Sequence, residues 1–155
     1  MIDLHRILVP TDFSKFSQSA LMYAAAFAEK FGAGLYLLHV VQNLSPVIPE
    51  ILPVEPPPVP SVEQLTTAVQ SAFDRLVTEN KLEELVVHRE VREGPPFYEI
   101  IRYAKEAQID LIVMGTHGHS GLAHVLLGSV TEKVVRKAPC PVLTVRHPEH
   151  EFVHP

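Results

Sequence analysis

An α/β fold built on a parallel sheet covered on both faces is the architecture predicted here, on three observations. Compact apolar runs without alternation recur along the chain, segments with apolar residues every three or four positions alternate with them, and glycine or proline marks the joins. Runs without alternation fit strands buried on both faces, whereas amphipathic helices repeat every 3.6 residues. A chain of 155 residues, 46% hydrophobic and 20% charged, suits one self-sufficient folded domain.

The first strand is read over His5–Pro10, where Ile7, Leu8 and Val9 are closed by Pro10, Thr11 and Asp12. Phe16, Ala20, Ala24, Phe27, Ala28 and Phe31 then share a helical face, and Gly32 and Gly34 stop it. Leu35–Val41 is a second buried strand, interrupted only by His39. Seven of the fourteen prolines lie in residues 46–60. Proline lacks the N–H that helices and ladders need, so this stretch is predicted to be a surface loop. Ser61 and Gln64 have capping-box spacing before a second helix whose face carries Val62, Leu65, Val69, Ala72, Phe73 and Leu76. Leu85–Val91 alternates with charged residues, which predicts a strand at or near a sheet edge. Gly94, Pro95 and Pro96 open a third helix with Phe97, Ile100, Ile101 and Ala104 on one face. Asp110–Gly115 is a fourth buried strand, a short helix ends at Lys137, and Pro141–Val145 is the fifth strand.

Composition excludes several function classes. The formal charge of -5 argues against duplex binding driven by phosphate neutralisation, so no nucleic-acid partner is expected. Cys140 is the one cysteine, which precludes a disulfide framework or a cysteine-based zinc site within one chain and fits a reducing, cytoplasmic compartment. Between two prolines beside the last strand it reads as a small hydrophobe. No apolar run approaches the ~18–20 residues needed to span a bilayer, and the opening Met1–Arg6 does not read as a signal peptide.

Four of the seven glycines fall between Gly115 and Gly128. Glycine tolerates positive φ and lets backbone approach a ligand, and successive N–H groups at a helix N-terminus attract anions. In open parallel sheets, ligands bind beyond the carboxyl ends of the strands where strand order reverses, which directs attention to Asp12, Val40 and Gly115. The spacing is Gly115-x-x-Gly118, nine residues, then Gly128-Ser129, directly after a buried strand and before a helix.

With this signature the chain resembles the ATP-binding branch of the universal stress protein family. The likeness extends to the opening Ile7–Ser14, to Leu38–Val41, to Asp110–Gly115 and to the close Ala138–Val142. It implies one nucleotide-binding domain over 1–146 followed by a polar tail, 147–155. The implied fold is doubly wound and adenine-nucleotide α-hydrolase-like, with helices on both faces of a five-stranded parallel sheet ordered 3-2-1-4-5. The implied ligand is ATP with Mg²⁺ or Mn²⁺. Pro10, Thr11 and Asp12 would meet adenine and ribose, Val40 would line the base, and Met114 would flank the nucleoside. Gly115, Gly118, Gly128, Ser129 and Val130 would hold phosphate, aided by His117 or His119. The resemblance also implies a homodimer through strand 141–146 and action in stress response or signalling through a downstream protein partner.

Residue types favour retention of ATP over turnover. No lysine, arginine or carboxylate occurs between Gly115 and Ser129, so the P-loop lysine and a water-positioning acid are both missing. A slow ATPase or nucleotidyl-transfer enzyme remains the alternative, although Pro10–Ser14 stands where that superfamily carries S-G-G-x-D-S. A phospho-acceptor receiver domain needs clustered acids, and only Asp12 qualifies. His117, His119 and His124 lack metal-ligand spacing, and His147, His150 and His154 sit in the polar tail. Two residues have simpler roles open to them: Ser129 could cap its helix in a box with Glu132, and Asp12 could cap the first helix.

Overall fold

The computed structural model describes residues 1–42, 62–118 and 127–147. Its elements run β1 (Arg6–Pro10), α1 (Lys15–Phe31), β2 (Gly34–Val41), α2 (Val62–Glu79), β3 (Val87–Glu93), α3 (Pro96–Glu106), β4 (Leu111–Gly115), α4 (Ser129–Lys137) and β5 (Val142–Val145). The strands form one parallel sheet in the order β3-β2-β1-β4-β5, as expected.

Alternation along the strands sorts their side chains into two cores. Ile7, Val9, Leu35, Leu37 and Val113 join Ala20, Leu21, Ala24, Ala28 and Phe73 on the α1–α2 face. Leu8, Leu38, Ile112 and Met114 join Ile100, Ala104 and Val134 on the α3–α4 face. Burial on both faces is why these strands read as unbroken apolar runs. Below the sheet, Asp110 ties β1 to β4: its Oδ2 accepts from the N–H groups of His5 and Arg6, both at 2.9 Å.

α1 starts at Ser14, whose Oγ accepts from Ser17 N at 3.3 Å, and ends on Gly32 at φ 65, a left-handed cap that glycine adopts without strain. Gly34 is the first residue of β2 and takes no part in the stop. Small residues make the line of closest approach to the sheet, with Leu21 beside them at 1% exposure. Phe31, expected on that face, packs on Phe27 at the helix end and stays 36% exposed. On α2, burial begins at Phe73, while Leu65 is 43% exposed. Ser61 and the Pro-rich stretch 46–60 lie outside the described residues.

β3 begins two residues later than the sequence suggests. Leu85 N donates to Leu82 O at 3.0 Å, closing a turn, and the ladder extends through Arg92 and Glu93 opposite Val40 and Val41. Charged residues are compatible with a strand that has a neighbour on one side only. At the other edge, Ile112 N donates to Pro141 O, and Thr116 N to Val145 O, both at 3.0 Å. The peptide groups of residues 141, 143 and 145 therefore face β4, and those of Val142 and Thr144 face outward.

Candidate functional site

Strand order reverses between β1 and β4, and a cavity of about 470 Å³ opens beyond their carboxyl ends. Its walls bring together Pro10 from β1, Thr11 and Asp12 from the turn that follows it, Val40 from β2 and Met114 and Gly115 from β4. His117 and Gly118 follow β4, and Gly128, Ser129 and Val130 open α4. Eleven of the twelve residues singled out in the sequence thus line one cavity, and the twelfth, His119, lies outside the described residues, as do His124, His150 and His154.

The Val40 peptide lies one rung beyond the last β1–β2 pair. Leu35 N donates to Val86 O, and Val41 O accepts from Gly94 N, so odd-numbered peptide groups of β2 face β3. Even-numbered ones face β1, where Leu38 O accepts from Thr11 N at 2.8 Å. The next rung on that side belongs to Val40, but Thr11 O is bonded to His39 Nδ1 at 2.9 Å and the chain turns away at Asp12. The N–H and C=O of Val40 therefore open toward the cavity.

Asp12 supports the α1 cap without being it. Its Oδ1 accepts from Ser14 N at 3.0 Å and from Ser14 Oγ, while Ser14 occupies the cap position. Its Oδ2 faces Gly118, where a Cβ would stand 2.8 Å away. Thr11 is buried, and its hydroxyl accepts from Phe13 N at 3.0 Å and bonds Ser17 Oγ at 3.1 Å, so its side chain braces the turn. Phe13 holds that turn at φ 61, a left-handed conformation that costs an aromatic residue about 1–3 kcal/mol. Its ring lies 4.7 Å from His39 and 5.2 Å from Phe73, contacts that hold the strained turn in place.

The glycines of the motif serve by their size. Among the described glycines only Gly32 and Gly94 have positive φ. A Cβ on Gly115 would meet the Phe16 carbonyl oxygen at 2.9 Å, and one on Gly128 would meet Thr116 O at 3.0 Å. Close approach of backbone to backbone, and of Gly118 to Asp12, is what these positions require.

Gly128 caps α4 with no side-chain bond, so Ser129 is the first helical residue, and no Ser129–Glu132 capping box forms. Glu132 instead pairs with Arg136 at 3.0 Å. The amides of Ser129, Val130 and Thr131 occupy the first turn, where an α-helix supplies no acceptor and its dipole is positive. His117, 8% exposed, contacts Thr116 Oγ1 through Nδ1 at 3.1 Å. No lysine or arginine lines the cavity among the described residues, and Asp12 is the only carboxylate there. No group of three or more histidines, cysteines or acids among those residues could hold a metal ion. Cys140 packs on the α3–α4 core, where burial raises its thiol pKa, as does nearby Asp110.

Ser17, Leu38, Gln42, Pro96, Ile100 and Thr131 also line the cavity, and the sequence marks none of them as a site residue. Gln42 directly follows the second strand, and that position is its signal in the sequence, since ligands bind beyond strand ends. Ile100 and Leu38 look like ordinary core residues until the fold turns them to the cavity.

Residues 4–146 match the universal stress protein family. Universal stress protein MJ0531 of Methanocaldococcus jannaschii is 38% identical over 146 residues, covering 94% of this chain and 84% of that protein. Among solved structures, MJ0577 superposes with a TM-score of 0.77 at 30% identity, covering 96% of this chain and 99% of that one. UspA from Lactobacillus plantarum gives 0.77 at 30% identity, covering 94% and 100%.

Proposed function

The chain belongs to the universal stress protein family, and from that premise we propose that it binds an adenine nucleotide, ATP with Mg²⁺ or Mn²⁺, as a member of the ATP-binding branch. The observation that carries this reading is the open Val40 peptide. An N–H beside a C=O complements adenine, which offers a ring-nitrogen acceptor beside an amino donor, and mismatches guanine, whose edge reverses that order. Asp12 stands where a ribose hydroxyl would donate to it, and the first turn of α4 provides amides for phosphate. Related folds, at 24% and 20% identity, belong to universal stress proteins solved in complex with cAMP and with dAMP. With Asp12 the only described acid in the cavity, the divalent ion is proposed to arrive on the polyphosphate. Calorimetry with Mg-ATP should show one saturable site, and GTP should bind at least 10-fold more weakly. Equal affinity for the two nucleotides would refute the base assignment.

The protein is proposed to act through conformation and a downstream partner in the cytoplasm, as a stress-response or signalling component. A cavity without a described cation beside the phosphates offers little to stabilise a transferring phosphoryl group. Purified protein with radiolabelled ATP should therefore release phosphate more slowly than ~1 s⁻¹, the low end of ordinary turnover. Faster release that disappears in an Asp12→Ala variant would establish the ATPase reading instead.

A homodimer through β5 is part of the proposal. The outward peptide groups of Val142 and Thr144 have no strand beside them among the described residues, and a two-fold copy would supply one. Leu143 packs partly against the α1–α2 core, so a charge there would disturb the fold along with any seam. Thr144→Pro removes one outward N–H and leaves the β4 ladder intact. Sedimentation equilibrium should find a dimer at micromolar concentration and a monomer for Thr144→Pro. A wild-type monomer would end the proposal.

A further inference from the structure

Two bonds fasten the first turn of α4 to the end of β4. Gly128 N donates to Thr116 O at 2.7 Å, a backbone bond open to most sequences. Thr131 Oγ1 donates to Gly115 O at 2.9 Å, and this one requires a hydroxyl at position 131. Thr131 is 3% exposed and lies in the cavity wall, so its donor is withheld from solvent and spent on the neighbouring strand. β4 is itself secured to β5 through Thr116 N and Val145 O. The helix start is thereby referenced to the sheet at two points, either side of residues 117–127.

We propose that Thr131 is a positioning residue that sets the α4 amides for the phosphates of the bound nucleotide. The inference rests on the nucleotide reading above. Hydrogen bonds from amides to phosphate weaken steeply with distance and angle, so a small shift of the helix start costs affinity on the phosphate side. Base and ribose meet Val40, on β2, and Asp12, in the β1–α1 turn, whose Oδ1 is held by Ser14 N. Loss of the hydroxyl therefore lowers affinity for ATP and spares affinity for adenosine.

Calorimetric titration of wild type, Thr131→Val, Thr131→Ala and Thr131→Ser with Mg-ATP and with adenosine tests this. Valine keeps the volume without the hydroxyl, alanine removes both, and serine keeps the hydroxyl. Valine and alanine should each weaken ATP about 10-fold while adenosine stays within about twofold, and serine should recover ATP to within about threefold of wild type. Circular dichroism melting of each variant identifies any that fails to fold, and the remaining hydroxyl-free variant then decides. An unchanged ratio of ATP to adenosine affinity in the folded hydroxyl-free variants, or a serine variant as weak as valine, would overturn the role of Thr131. Wild type that binds neither compound would overturn the nucleotide reading itself, and the wild-type titration separates that result from failure at Thr131 alone.

Discussion

Gly118→Ala is expected to weaken ATP binding about 10- to 100-fold while leaving the melting temperature close to wild type. The added Cβ would stand 2.8 Å from Asp12 Oδ2, too close for the two to coexist. The obstacle is the end of a side chain, so the fold yields cheaply by turning the carboxylate away. What is lost is the aim of Asp12 at a ribose hydroxyl, a hydrogen bond to a charged acceptor of roughly 1.5–3 kcal/mol. At 1.4 kcal/mol per tenfold change this gives the stated range. Because the effect passes through Asp12, it should vanish in its absence. In an Asp12→Ala background, Gly118→Ala should cost less than about twofold, and full additivity in that cycle would show that Gly118 acts elsewhere.

At Gly115 the same substitution should produce the opposite phenotype. A Cβ there meets Phe16 O at 2.9 Å, His117 O at 3.2 Å and Phe16 C at 3.3 Å, all backbone atoms. No side chain can swing aside, so the start of α1 must move off β4. Overpacking of this kind costs typically 1–3 kcal/mol. For a domain of this size each kcal/mol lowers the melting temperature by roughly 2–4 °C. Thermal unfolding of Gly115→Ala measures it directly. A variant that melts with wild type would mean that the α1–β4 approach is not needed for stability.

The two glycines share one sequence motif and differ in purpose, and that contrast marks what the sequence could convey. Element type and order were legible because strands buried on both faces and amphipathic helices leave different periodicities, as in Ile7–Val9 against Ala20, Ala24 and Ala28. Motif spacing and the family likeness located eleven of the seventeen residues in the cavity wall. Spacing could not say what each member does. Thr11 turned inward to brace Phe13, Ser129 yielded the cap position to Gly128, and Gly115 proved to separate two backbones. Such assignments depend on which atoms lie within 3 Å across elements far apart in sequence. The edge of β3 shows the same limit, since Arg92 and Glu93 join the ladder through pairing with β2.

The strand order also governs when the cavity can come into being. β1 is the first strand made, yet its neighbours are β2 and β4, and the bond from Arg6 N to Asp110 Oδ2 joins positions 104 apart. During synthesis a chain emerging as far as β3 can pair β1 with β2 and align Asp12 beside Val40. The opposite wall, from Met114 to Thr131, arrives only with the last quarter of the chain. Closing so long a loop is entropically costly and slow compared with local pairing. A ligand gripping both walls therefore favours only the completed molecule, stabilising it by RT ln(1 + [L]/Kd) and nascent fragments not at all. Occupancy of the cavity would then report that both of its walls, from β1 to α4, have come together.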